Sequence, residues 1–157
     1  MKRLLFLLVL IPMLLHANEV KTHKRLPYER TIPLLESIKK DAIVLGEGKT
    51  EVYVFVDPLC PYSRKFMAMV SRNEKMLTKY RYYVFLYSIP RLHSEAMVST
   101  IYASKKPAEL LLKVMVDKAH VDAGMVEASR QQISKIAAVA REIDVYKRPY
   151  LIVAKPK

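Results

Sequence analysis

Val54-Phe55-Val56-Asp57-Pro58-Leu59-Cys60-Pro61-Tyr62-Ser63-Arg64-Lys65-Phe66 carries an apolar strand into the only cysteine of a 157-residue chain, with proline directly after it. Pro61, with its fixed φ and missing N–H, suits the first position of a helix, which makes Cys60 the N-cap. There the sulfur faces unpaired amide N–H groups and the positive end of the helix dipole, both of which favour thiolate over thiol. An unpaired cysteine is also among the most frequently buried residues, and a small buried hydrophobe is the other reading of Cys60. The flanking Asp57-Pro58 and Pro61-Tyr62 pairs favour a turn at a helix mouth over a strand interior. Asp57 has two readings as well: it tunes the thiol or relays a proton for it, or it forms the turn before Pro58.

The N-terminus sets the compartment. Basic Met1-Lys2-Arg3 precedes an apolar run over 4–15 broken only by Pro12, and Leu15-His16-Ala17 supplies small-residue cleavage chemistry. Residues 1–17 therefore read as a secretory signal peptide; the run is too short for a transmembrane span of about 20 residues. Leu-His-Ala is an imperfect cleavage signal, so an uncleaved N-terminal anchor stands as the alternative. Export points to a periplasmic, oxidising environment, where a lone cysteine is a free thiol or pairs with another molecule. The full chain has 27 basic and 15 acidic residues, +12 net. Losing Lys2 and Arg3 with the signal leaves 25 against 15, or +10. Export argues against nucleic acid as the partner of this charge and leaves acidic clients, weak attraction to an anionic membrane surface, or simple solubility.

Residues 18–48 read as an N-terminal lead-in, with a short helix over 31–38 that Thr31 starts and an extended segment over 41–45 ending at Gly46-Glu47-Gly48. Residues 49–157 hold one domain. The nearly continuous apolar run over 51–56 suits a strand buried on both faces. An amphipathic helix is expected over 61–80, with Asn73 at a kink or end, and an aromatic strand over 82–87 closed by Ile89-Pro90. Helices follow over 94–106, with Ser94 as a cap, over 107–120 and over 126–143. A last apolar strand over 150–153 is entered through Arg148-Pro149. The order of strand, helix, strand, helices, strand is that of an α/β fold with parallel pairing across helical crossovers. His23, His93 and His120 are scattered, with no metal-ligand spacing, and Gly46 and Gly48 precede a strand where a phosphate loop would open a helix; no metal or cofactor is expected.

A signal peptide, the block Phe55-x-Asp57-Pro58-x-Cys60-Pro61-Tyr62-x-Arg64-Lys65-Phe66, and Arg148-Pro149 before a final strand together resemble the thioredoxin-fold domain of periplasmic thiol:disulfide interchange proteins of the DsbC/DsbG type. Residues 81–85 and 89–96 are similar to that family's second strand and the loop into its helical insertion, and the likeness covers 51–153. It implies that Cys60 is the nucleophile, that Pro149 is a cis-proline lying against it, and that the backbone of Arg148 offers hydrogen bonds to an extended client. An ordinary strand-start proline is the other reading of Pro149. If the Arg148 cation sits beside Cys60, it favours the thiolate further.

Three features depart from that pattern. Ser63 stands where the family has its resolving cysteine, so Cys-Pro-Tyr-Ser closes no internal disulfide and carries no two-electron oxidation as a dithiol. Cys60 still forms mixed disulfides with disulfide-containing clients, resolved by another client thiol or an external thiol reductant, and the Ser63 hydroxyl is placed to support the thiolate. After Val153 no residues are evident for the hairpin strand and last helix that usually complete the fold, so the domain reads as C-terminally short. Either residues 31–45 or a second subunit covers that surface, with the methionines of the 66–76 helix as candidates for an exposed patch. The stretch before the domain is too short for a DsbC-type dimerisation domain. Two functions follow: a monothiol oxidoreductase or isomerase-like protein, and a non-catalytic binding or assembly protein that keeps the groove without redox chemistry.

Overall fold

The computed structural model describes residues 23–155; the signal peptide read over 1–17 lies outside them. Apolar runs punctuated by proline and glycine form, in chain order, α1 (Tyr28–Ser37), β1 (Ile43–Leu45), β2 (Thr50–Val56), α2 (Pro61–Ser71), α3 (Glu74–Lys79), β3 (Tyr80–Leu86), α4 (Glu95–Ala103), α5 (Pro107–Met115), α6 (Arg130–Glu142) and β4 (Tyr150–Val153). The four strands make one sheet in the order β1-β3-β2-β4. β2 and β3 pair in parallel through the α2–α3 crossover, and β1 and β4 run antiparallel to them on the two edges. β1 lies in the stretch read as a lead-in, yet it is part of this sheet: Ile43 pairs with Val84.

The two-residue period of a strand sorts the core by face. Tyr53, Phe55, Tyr83, Phe85, Tyr150 and Ile152 share one side of the sheet, where Tyr53 stacks on Tyr83 at 5.3 Å and Phe55 meets Phe85 at 5.1 Å with the rings tilted. Each such aromatic pair adds roughly 0.5–1.5 kcal/mol beyond its burial. Val52, Val54, Val56, Tyr82, Val84 and Leu86 form the other side. There Phe66 of α2 meets the Tyr82 ring edge-on, and α5 packs beside α2.

α1 lies over the aromatic face. Lys39, just beyond it, bonds the Glu51 carboxylate at 2.8 Å, the Tyr53 hydroxyl donates to Glu36 and Glu51, and Tyr83 donates to Glu51 at 3.2 Å. Burial pushes the Glu51 carboxyl up, but Lys39 and the two tyrosines more than reverse this and hold it below its ordinary value. Burial pulls Lys39 down, and hydrogen bonds to Glu51 and Glu36 carry it above its ordinary value.

Several boundaries differ from the sequence reading for local reasons. α1 starts at Tyr28, and Thr31 is a buried residue inside it whose hydroxyl bonds back to the Leu26 and Pro27 carbonyls instead of capping. The helix expected over 61–80 is two, because the Asn73 side chain accepts the Met76 N–H and starts α3 anew. The helix over 107–120 stops at Met115, and Lys118 adopts a left-handed φ of 56° as the Ala119 N–H bonds back to Lys113. The helix over 126–143 opens as a 3-10 turn at Glu127–Ser129. Gly48 permits the turn between β1 and β2, since a Cβ there would fall 2.0 Å from the Lys79 carbonyl carbon.

The segment over 31–45 does not cover the edge at β4 as expected: β1 lies on the far edge of the sheet, and of that segment only Thr31 lines the cleft beside β4. The residues leading into α1 share a cleft with Ile143, Tyr150 and Ile152, and the Tyr28 hydroxyl accepts the Lys155 N–H at 2.6 Å. Leu151 and Val153, on the opposite face of β4, stay exposed. The α2 methionines divide: Met67 is fully buried and Met69 is half exposed.

Candidate functional site

The end of β2 places the thiol. After Val56 the Asp57 carboxylate turns back on its own loop, accepting the Leu59 N–H at 2.7 Å and the Cys60 N–H at 3.2 Å through Oδ1. This is an Asx turn, and it delivers Cys60 to the N-cap of α2 with extended backbone (φ −72°, ψ 122°). Pro61 takes the first helical position, and the Cys60 carbonyl accepts the Arg64 N–H at 2.9 Å. The Arg64 Nε ties the loop again by donating to the Pro58 carbonyl at 2.7 Å.

The second Asp57 oxygen leaves the loop. Oδ2 accepts the Ile89 N–H at 2.5 Å and the Ser94 hydroxyl at 2.6 Å, joining the thiol loop to the segment between β3 and α4. Ser94 does start α4 by position, but its hydroxyl makes no cap bond because it is spent on Asp57. Nothing in the local pattern of Ser94-Glu95 distinguishes this role from capping, so sequence reasoning missed it.

Cys60 is 4% exposed, and its Sγ lies 3.8 Å from the Arg148 carbonyl oxygen. The Arg148-Pro149 peptide bond is cis and leads directly into β4. The Arg148 guanidinium is committed to the neighbouring loops. It donates to the carbonyls of Tyr87 (3.1 Å), Ser88 (3.1 Å) and Val145 (3.2 Å), and lies 4.0 Å from the centre of the Tyr87 ring. Burial lowers its affinity for the proton, while Tyr87, Asp57 and Cys60 act to hold the charge. The group that meets the thiol is thus the Arg148 backbone, with the side chain serving as a clamp on the surrounding loops.

Ser63 is fully buried one helical turn beyond Cys60, and its Oγ accepts the Asp57 N–H at 3.2 Å. Among the described residues no hydrogen bond joins it to Cys60. Pro61 and Tyr62 stand at the rim, Tyr62 being 73% exposed. The structure therefore brings Cys60, Ser63, Asp57, Arg148 and Pro149 together and leaves Pro61 and Tyr62 facing outward. Tyr87, Ser88, Ile89 and Ser94 join the site unforeseen, three of them through backbone groups that no side-chain pattern marks.

No family model matches the sequence, and no curated protein matches it. Among solved structures, the catalytic domain of Proteus mirabilis ScsC aligns with a TM-score of 0.60 at 13% identity, over 82% of this chain and 87% of that one. The fold is thioredoxin-like. A disulfide interchange protein from Neisseria gonorrhoeae aligns with a TM-score of 0.57 at 19% identity, over 73% of this chain and 80% of its own. Helicobacter pylori DsbG aligns with a TM-score of 0.56 at 16% identity over 80% of this chain, which spans 61% of that structure. In this thioredoxin-like domain the thiol sits at the mouth of the crossover helix, beyond the carboxyl end of a central strand. Open α/β sheets place their ligand sites in that position. Among the described residues, no helix is long and apolar enough to cross a membrane.

Proposed function

We propose that this chain is an exported, periplasmic monothiol exchange protein of the DsbC/DsbG kind. The observation that carries the reading is the position of its single thiol: an N-cap sulfur facing the Arg148 carbonyl at the entry to β4. In this mechanism the Cys60 thiolate attacks one sulfur of a client disulfide. A Cys60–client disulfide forms, and the second client sulfur leaves as a thiolate with the bonding pair. Attack by a different client thiolate returns Cys60 and leaves the client with a rearranged disulfide, so no electrons are gained or lost overall. Two equivalents of an external small thiol reduce the client instead: the first attacks the Cys60 sulfur and releases the client thiolate, and the second attacks the small-thiol sulfur of that adduct, returning Cys60 as thiolate and leaving as the small-molecule disulfide. Arg148 and Pro149 form the wall against which an extended client lies. Asp57, Pro61 and Tyr62 shape the thiol loop, and Ser63 supports it through Asp57.

The test is trapping in the native compartment. Exported protein run on non-reducing gels should show a ladder of covalent adducts that vanishes in Cys60→Ser. Absence of any Cys60-dependent adduct would sink the proposal.

The near-complete burial of Cys60 favours a second reading, a binding or assembly module in which the thiol is packing. Under that reading Cys60→Ala keeps its partners and cellular role, whereas under the first it loses both.

A further inference from the structure

A groove of about 560 Å3 runs between α2 and the end of α5, within the roughly 300–1,000 Å3 typical of ligand pockets. Leu59 and Pro61, the two chain neighbours of Cys60, form one end of it. Its charged lining is entirely cationic: Arg64, Lys65, Arg72 and Lys118. No carboxylate lines it; Asp117, next to Lys118 in the chain, is exposed and outside the lining. Among the described residues none of the four cations is in an ion pair. Arg64 is fixed by its Nε bond to Pro58, which leaves its two terminal nitrogens for a ligand, and the other three are exposed and uncommitted. Cations crowded on one groove repel one another, and a carboxylate-bearing occupant relieves that repulsion.

We infer that this groove selects clients by charge: it holds an acidic, extended polypeptide segment adjacent to the client cysteine that Cys60 attacks. The inference rests on the monothiol reading above and names its substrate class. The groove lies on the α5 flank of α2, and the Arg148-Pro149 wall lies against the sulfur itself. One contact places the reacting cysteine, and the other reads the residues beside it. Fields of this kind raise association rates by about 10- to 1,000-fold and weaken with salt.

The experiment uses the exported chain and three peptides that differ only in flanking residues, Glu, Ser or Lys, each with one cysteine blocked as a 2-pyridyl disulfide. Cys60 Sγ forms a disulfide with the peptide sulfur, and pyridine-2-thiol leaves with the bonding pair and is read by absorbance. The Glu peptide should react about 10-fold or more faster than the Lys peptide at low ionic strength. That ratio should fall toward one at about 1 M salt, where the Debye length is ~3 Å. The triple variant Lys65→Glu, Arg72→Glu, Lys118→Glu, which spares the tethered Arg64, should lose the preference at low salt while still reacting with the Ser peptide. Equal rates for the three peptides, or a Glu preference that survives the triple variant, would overturn the inference and leave monothiol exchange standing. Failure to release pyridine-2-thiol from any peptide would overturn the exchange reading instead. The groove is then judged by Cys60→Ser and fluorescent peptides lacking the disulfide: anisotropy should show binding of the Glu peptide and not the Lys peptide, and no difference rejects the groove.

Discussion

Asp57 Oδ2 accepts the Ser94 hydroxyl at 2.6 Å, joining two fully buried side chains 37 positions apart in the chain. The same carboxylate accepts three backbone N–H groups, from Leu59, Cys60 and Ile89. It is the knot between the thiol loop and the segment that leads into α4. Asp57→Ala strands these donors, and a broken buried network of this kind costs about 3–5 kcal/mol. Asp57→Asn keeps one acceptor oxygen and should cost about half as much. Guanidinium unfolding midpoints of the two variants check the order.

Ser63 occupies the third helical position after the Cys60 cap. Ser63→Cys should create a dithiol able to close on itself, giving up two electrons on closure and taking them back on reduction, which the single thiol cannot do within the chain. The cost is the Asp57 N–H bond, about 1 kcal/mol. Thiol titration of the unfolded protein should find two thiols after reduction and none after mild oxidation, against one in each condition for a wild-type chain kept free of adducts.

The Arg148 guanidinium spans three carbonyls on two loops. A lysine ammonium lacks the planar fork that reaches all three. Arg148→Lys should therefore destabilise by about 1–2 kcal/mol and Arg148→Ala by more. The Arg148 carbonyl facing Cys60 is backbone and persists in both. Denaturant titration measures the loss, and a lysine variant as stable as wild type would contradict the clamp.

Glu51 titrates below its ordinary value when folded, so its stabilisation is present above the unfolded value of about 4.3 and is lost as pH falls through the lower folded value. Lys39 titrates above its ordinary value, so its contribution is complete below about 10.4 and is lost as pH rises through the higher folded value. Wild-type stability should fall more steeply than that of Glu51→Gln on acidification below about pH 4. Lys39→Met should remove about 1–2 kcal/mol at neutral pH. Unfolding free energies across the pH range test both.

Much of the domain was legible in the sequence because its signals are local. The β-branched run over 51–56, Pro61 after Cys60 and Pro149 before an apolar strand each specify backbone within a few residues. That is enough to lay out strand, thiol, helix and final strand. Boundaries blurred where one side chain arbitrates between continuing a helix and restarting it, as Asn73 does for α3.

The sequence by itself determined a lone thiol at a helix mouth after a buried strand, and the absence of a second cysteine at position 63. Tertiary structure alone decided what each neighbour does. It set the Arg148 carbonyl against the sulfur and spent its guanidinium on the Tyr87, Ser88 and Val145 carbonyls, gave Ser63 to the Asp57 N–H, and drew β1 into the sheet beside β3. The physical reason is the range of the interactions. Helix starts and strand faces follow from contacts a few residues apart, whereas a hydrogen bond across 37 or 88 positions exists only once the sheet has set the loops side by side.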